Sequence, residues 1–132
     1  MDSCCNSESL ETIVEQAILL SSTDIHLQCG QPIYLRHGDG LKATSFLCTT
    51  DLIEDILRRC EIASYEWQSI DEACSCCGVR IRVHLYRANQ TICGTLRLLC
   101  HQQLSLDDNS EGQLLQKLCE SHDGLLLVCG PT

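Results

Sequence analysis

Three groups of residues in this sequence are of types that do chemistry. The first is its arginines, which outnumber lysines seven to two. That bias suits the planar, two-point contacts a guanidinium makes with phosphate or carboxylate. Arg80, Arg82 and His84 alternate with Val79, Ile81, Val83 and Leu85, so on a strand the basic residues share one face. By residue type alone, Arg82 and the more distant Arg97 are solvated or salt-bridged arginines on such a face. The second group is Asp24 and His26, which also share a strand face and have the types of an acid–base pair. Their place directly after a helix favours a structural role, with His26 a hydrogen-bonded histidine rather than a ligand. The third is Cys74-Ser75-Cys76-Cys77, which could hold zinc together with His84 or the distant Cys4 and Cys5. Structural zinc sites are built from paired Cys-x-x-Cys knuckles, which are missing here, so no metal is expected.

The composition narrows the setting. A chain of 132 residues is long enough for one core and short for two. The net charge of −9 repels nucleic acid and anionic lipid, so no nucleic-acid partner is expected. There is no apolar run of about 18 residues to span a bilayer. The N-terminus has no basic segment followed by an apolar one, so no secretory signal is expected and the default location is the cytoplasm. Twelve cysteines would suggest disulfides in a secreted protein. In this setting they read as reduced, mostly structural thiols. Cys60, Cys93, Cys100, Cys119 and Cys129 lie inside apolar runs, where a thiol acts as a small hydrophobe.

The elements that must position these residues follow from periodicity. Leu10, Ile13, Val14, Ala17 and Ile18 fit one face of a helix ending near Leu20, capped by Ser7 or Ser9, with Glu8 and Glu11 at its positive end. Strands are expected over 24–28, 33–36 and 41–47, with Gly38-Asp39-Gly40 as a tight turn. A second helix opens at Thr49-Thr50-Asp51. Asp51 and Glu54 have capping-box spacing, and Leu52, Ile53, Ile56, Leu57 and Cys60 form its buried stripe. A short helical turn is expected over 63–68. Strands follow over 69–76, 79–86 and 92–99, with 87–90 a turn and 107–110 a polar loop. A third helix spans 111–119, with Leu114, Leu115 and Leu118 inside. The continuous apolar run 124–129 reads as a strand buried on both faces, as in a parallel sheet. The fold class is therefore α+β, an antiparallel sheet flanked by helices. The last strand has no partner of its own kind and is assigned to a second domain.

Several of these segments are similar to those of the hexameric ATPases that drive type IV pili and type II secretion, the PilT/GspE-like motors. Ser22-Thr23-Asp24-Ile25-His26-Leu27 resembles the family's Ala-Ser-Asp-(Ile/Leu)-His-Leu after its first helix. Leu35-Arg36-His37-Gly38-Asp39-Gly40 is similar to its Leu-Arg-Val-Asp-Gly hairpin with one residue extra. Ile81-Arg82-Val83-His84 and Thr95-Leu96-Arg97-Leu98 resemble its two arginine strands, at the family's spacing. Asp123 to Val128 resembles the strand before its phosphate-binding loop, and Gly130-Pro131-Thr132 resembles the start of that loop. The resemblance covers residues 10–132 in order. Cys100-His101 replaces the family's Ile-Pro, and the cysteines are not a family trait.

The resemblance implies a PAS-like N-terminal domain over 1–122. Residues 123–132 would be the first strand and loop start of a RecA-like ATPase domain lying mostly outside this sequence. It implies ATP and magnesium as ligands of the full-length protein, a homo-hexamer, and an inner-membrane platform protein as partner. It implies a location on the cytoplasmic face of that membrane and work in pilus retraction, with twitching motility, or in pilus or type II secretion assembly. Arg82 and Arg97 would reach nucleotide held on the neighbouring domain, with Gly130, Pro131 and Thr132 in its loop and Arg80 and Arg87 secondary. These 132 residues contain no loop lysine, so no catalytic residue and no turnover are expected of them alone. The alternative is a stand-alone PAS-like sensory or thiol-based redox module.

Overall fold

The computed structural model describes residues 9–99 and 110–131. The chain divides into two compact units, Met1–Cys100 and His101–Thr132. The first unit is built from α1 (Leu10–Leu19), β1 (Asp24–Gln28), β2 (Pro32–His37), β3 (Gly40–Leu47), α2 (Thr50–Arg59), β4 (Ser69–Cys76), β5 (Val79–Ala88) and β6 (Thr91–Leu99). The six strands form one sheet in the order β3-β2-β1-β6-β5-β4. Every neighbouring pair is antiparallel. The expected α+β class holds. The two three-strand groups meet through β1 and β6, the strands farthest apart in sequence.

One face of the sheet and the two helices share a core. Ile25, Leu27, Ile33, Leu35, Ile81, Val83, Leu85, Leu96 and Leu98 come from the strands. Leu10, Ile13, Val14 and Ala17 come from α1, and Leu52, Ile53, Ile56 and Leu57 from α2. Cys48, Cys60, Cys74 and Cys76 are buried among them as small apolar residues. Gly94 is required where β6 passes β5: a Cβ there would meet the Leu85 side chain and lie 2.7 Å from the His84 carbonyl oxygen. Arg59 joins the helices, bonding Glu11 of α1 at 2.6 Å and Asp55 of its own helix at 3.3 Å.

The helix ends explain where the chain turns. Ser9 caps α1, its hydroxyl accepting from the Thr12 amide at 3.4 Å. Thr49, not Asp51, caps α2, its hydroxyl accepting from the Leu52 amide at 3.2 Å. Asp51 lies inside the first turn, where its charge suits the positive helix end. Both helices close with a left-handed residue, Ser21 (φ 52) and Glu61 (φ 59). Each puts the next amide onto a carbonyl five residues back: Ser22 to Ala17 at 2.8 Å and Ile62 to Leu57 at 2.9 Å. The last two strand pairs are joined by two-residue turns, Cys77-Gly78 and Asn89-Gln90, with φ positive at all four residues. The 87–90 turn is therefore narrower than expected, since Arg87 and Ala88 continue β5.

Three expectations need correction. Residues 63–68 form no helical turn. The Tyr65 and Trp67 carbonyls accept from Arg87, and the Ser64 hydroxyl takes the Glu66 amide, so the backbone is satisfied without helix. In the second unit α3 (Ser110–Cys119) forms, but Leu114, Leu115 and Leu118 are exposed rather than inside. A unit of 32 residues is below the size at which a chain builds its own core. Gly124 to Cys129 is not a strand, and Leu125 and Val128 are 84% and 86% exposed. A strand buried on both faces exists only between neighbouring strands, and the described residues of this unit offer none. Among the described residues no helix is long and apolar enough to cross a membrane.

Candidate functional site

The face of the sheet opposite the helices carries the residues whose chemistry stood out. Strand parity puts Asp24, His26, Arg36, Asp71, Arg80, Arg82, His84, Thr95 and Arg97 on it. The register then lines them up in rows. Arg82 stands directly opposite Arg97, and Arg97 directly opposite Asp24. One step along, His26, Thr95, His84 and Asp71 form a second row. Asp71, Arg82, His84, Thr95 and Arg97 line an open cleft of about 380 Å³.

Two arginines facing each other across a strand pair repel. Each is held by a carboxylate from its far side. Arg97 Nε donates to Asp24 Oδ1 at 3.0 Å. Arg82 donates from Nε at 3.1 Å and from Nη2 at 2.7 Å to the two oxygens of Asp71. The result is a carboxylate–guanidinium–guanidinium–carboxylate line across β1, β6, β5 and β4. Both arginine side chains remain open to solvent, 62% and 60% exposed.

The two carboxylates differ in setting. Asp24 is buried, and Oδ2 accepts from the Thr23 hydroxyl at 2.9 Å. Burial works to raise its pKa. The hydrogen bonds from Arg97 and Thr23 and the charge of Arg97 outweigh burial and hold the carboxyl below its ordinary value. Asp71 is exposed, and the hydrogen bonds and charge of Arg82 hold its carboxyl low.

Other candidates sit elsewhere. Arg80 shares the face and reaches Ser75 Oγ at 3.3 Å. Arg87 does not join Arg82 and Arg97, because its odd position turns it to the other face. There it bonds the Trp67 and Tyr65 carbonyls at 2.9 and 2.7 Å and stacks on the Trp67 ring at 4.8 Å. Asp24 and His26 share a face but do not act as a pair. Asp24 is taken by Arg97 and Thr23, and His26 Nδ1 lies 3.5 Å from the Thr95 hydroxyl. His26 Nε2 is buried without a hydrogen-bond partner among the described residues. Gly130 and Pro131 are exposed and outside regular structure, and Thr132 lies outside the described residues.

The cysteines gather no metal site among the described residues: no three His, Cys, Asp or Glu side chains there are placed to hold an ion. Cys74 and Cys76 point into the core, and Cys77 Sγ lies 3.7 Å from Cys76 Sγ. Cys4 and Cys5 lie outside the described residues. Burial pushes the thiols of Cys48, Cys60 and Cys76 up to about 12, which keeps them protonated and unreactive.

Sequence reasoning missed Asp71 and Thr95 as members of this cleft. The signal for Asp71 was the run of small and polar side chains at 69, 71, 73 and 75, one face of β4. That Asp71 would reach Arg82 depended on the β4–β5 register.

An α+β domain with an open, arginine-bearing antiparallel sheet face is the class this architecture defines. No family model and no curated protein matches the sequence. Among solved structures, the chain resembles the pilus retraction motor PilT with bound ADP, at a TM-score of 0.69 and 21% identity, over 87% of this chain and 36% of that one. It also resembles the ATPase DotB of Legionella pneumophila, at a TM-score of 0.53 and 23% identity, over 71% of this chain and 29% of that one. The fold is thus shared with the N-terminal domain of PilT-like ATPases. This chain spans about a third of the length of the structures it matches.

Proposed function

We propose that this chain is the N-terminal domain of a hexameric motor ATPase of the PilT/GspE kind, in which Arg82 and Arg97 face the phosphates of a nucleotide held by a neighbouring domain. One observation carries the reading. The two guanidinium groups stand directly opposite each other on adjacent strands, on the solvent-facing side of the sheet, in one open cleft. Phosphoryl transfer spreads charge over oxygens, and forked guanidinium groups neutralise it without forming covalent bonds. Arginines supplied by a mobile domain also make hydrolysis depend on domain closure, which couples the chemical step to movement.

In this reading ATP and magnesium are bound by the full-length protein, not by the arginine face alone. Gly130-Pro131-Thr132 opens the phosphate loop, and the run 124–129 becomes a buried strand once the rest of a RecA-like sheet flanks it. The assembly is a homo-hexamer acting on a platform protein at the inner face of the cytoplasmic membrane, to retract a pilus or to assemble a pilus or secretion pseudopilus. Arg80 is a secondary contributor on the same face. The thiol-sensor alternative has less support, because the core thiols are buried and held protonated.

The test is ATP turnover by the full-length protein. Arg82→Ala and Arg97→Ala should each lower kcat by at least about tenfold, the low end for losing a group that stabilises transferring phosphate. Turnover unchanged in both variants rejects the proposal. Magnesium-dependent hydrolysis by the 132 residues alone would contradict the assignment of the catalytic loop elsewhere.

A further inference from the structure

Each of the two facing guanidinium groups has its own carboxylate partner. An approaching phosphate therefore competes with a carboxylate already bound to each of these two guanidinium groups. The geometry shows which one is held and which is free to leave.

Arg97 holds Asp24 through Nε, and among the described residues its two terminal nitrogens make no hydrogen bond. The Asp24 side chain is 8% exposed, and Thr23 fixes its second oxygen. Moving this carboxylate would strand a buried charge, which is costly. Arg82 is bound differently. Asp71 occupies both Nε and Nη2, the forked edge that takes a carboxylate or a phosphate in the same two-point manner. The Asp71 side chain is 50% exposed and makes no other side-chain bond among the described residues. An exposed pair of this kind is weak, and its carboxylate can swing into water.

We propose that Asp71 is an internal competitor for phosphate on Arg82, and that Asp24 is a positioning residue that keeps Arg97 pointed outward. The inference rests on the phosphate-facing reading of the two arginines and adds a division of labour between them. Arg97 is ready before any ligand arrives. Arg82 is engaged until a phosphate, carrying more charge than a carboxylate, displaces Asp71. Asp71 thereby biases the site against weak, singly charged anions.

The two carboxylates should respond to neutralisation with opposite signs. The probe is inorganic pyrophosphate titrated into the 132-residue chain at matched ionic strength, read from the Nε–H signals of Arg82 and Arg97. Asp71→Asn should tighten pyrophosphate about threefold, the size expected for releasing one exposed ion pair. Asp24→Asn should weaken it by about the same factor and broaden the Arg97 signal. Because Asp24→Asn also removes a buried interaction, Thr23→Val provides a milder version: it frees one carboxylate oxygen and should weaken binding in the same direction. A general structural role for either aspartate would move both variants the same way.

The outcomes separate cleanly. If Arg82→Ala and Arg97→Ala abolish the pyrophosphate response while Asp71→Asn leaves affinity unchanged or weaker, the competitor role is wrong and the phosphate-facing reading stands. If the wild-type chain shows no response, phosphate does not displace Asp71 and the competitor role is wrong; if the two arginine variants respond like wild type, the phosphate-facing reading itself fails.

Discussion

Asp24 is the residue whose protonation should matter most to this fold. Its carboxyl is held below the ordinary value near about 3.9, by Arg97 and Thr23 against the opposing effect of burial. A depressed folded-state pKa stabilises above the unfolded value, and the contribution is lost as pH falls through the folded one. Stability should therefore fall on acidification below about pH 4. Asp24→Asn should cost about 1 kcal/mol at neutral pH, because the partner arginine is largely exposed, and should flatten that acid slope. Urea unfolding at pH 7 and pH 3 checks both. A variant with the wild-type acid slope would show that Asp24 is not the group responsible. The same carboxylate illustrates why neighbouring residue types mislead: its sequence neighbour His26 suggests acid–base work, while its working partner, Arg97, is 73 positions away.

At the scale of elements, the helix termini of the first unit are stabilised by local geometry that short-range substitutions can probe. Thr49 supplies the hydroxyl that satisfies the Leu52 amide, so Thr49→Ala should cost about 1 kcal/mol. Glu61 adopts a left-handed conformation that suits glycine, so Glu61→Gly should stabilise by about 0.5–1 kcal/mol. Opposite shifts in the thermal midpoint are expected. A Glu61→Gly variant less stable than wild type would mean that its side chain contributes more than its backbone strain costs. The strands were legible for a related reason. Alternation over 79–86 reports burial on one face, and that is a property of neighbours along the chain. The segment 63–68 was misread because its backbone partner, Arg87, arrives from another strand.

For the whole molecule, the many core thiols tie stability to alkaline pH. Cys48, Cys60 and Cys76 are pushed up to about 12 by burial, and Cys74 is raised as well. A thiol whose folded pKa is raised stabilises fully below its unfolded value. That contribution is lost as pH climbs from about 8.5 toward about 12, because the unfolded chain ionises first. In reducing buffer the unfolding midpoint should fall across this range. A Cys48→Ala, Cys60→Ala, Cys76→Ala variant should lose much of the slope. A triple variant with the same alkaline slope would place its origin in other groups. The same burial explains how a chain with twelve cysteines keeps its core thiols unreactive.

The sequence by itself determined the strands and helices of the first unit, the antiparallel α+β class and the shared face of Arg80, Arg82 and His84. All of these follow from periodicity and turn chemistry, which act over a few residues. Resemblance of two segments to the arginine strands of the PilT/GspE-like motors singled out Arg82 and Arg97. Tertiary structure alone decided that β1 lies beside β6, and with it that Asp24 rather than solvent holds Arg97. It decided that Asp71 closes on the fork of Arg82, that Arg87 belongs to the opposite face, and that the apolar run 124–129 stays exposed. Those outcomes depend on which strands become neighbours, and pairing across long sequence separations is set by burial of the whole core, not by any local pattern.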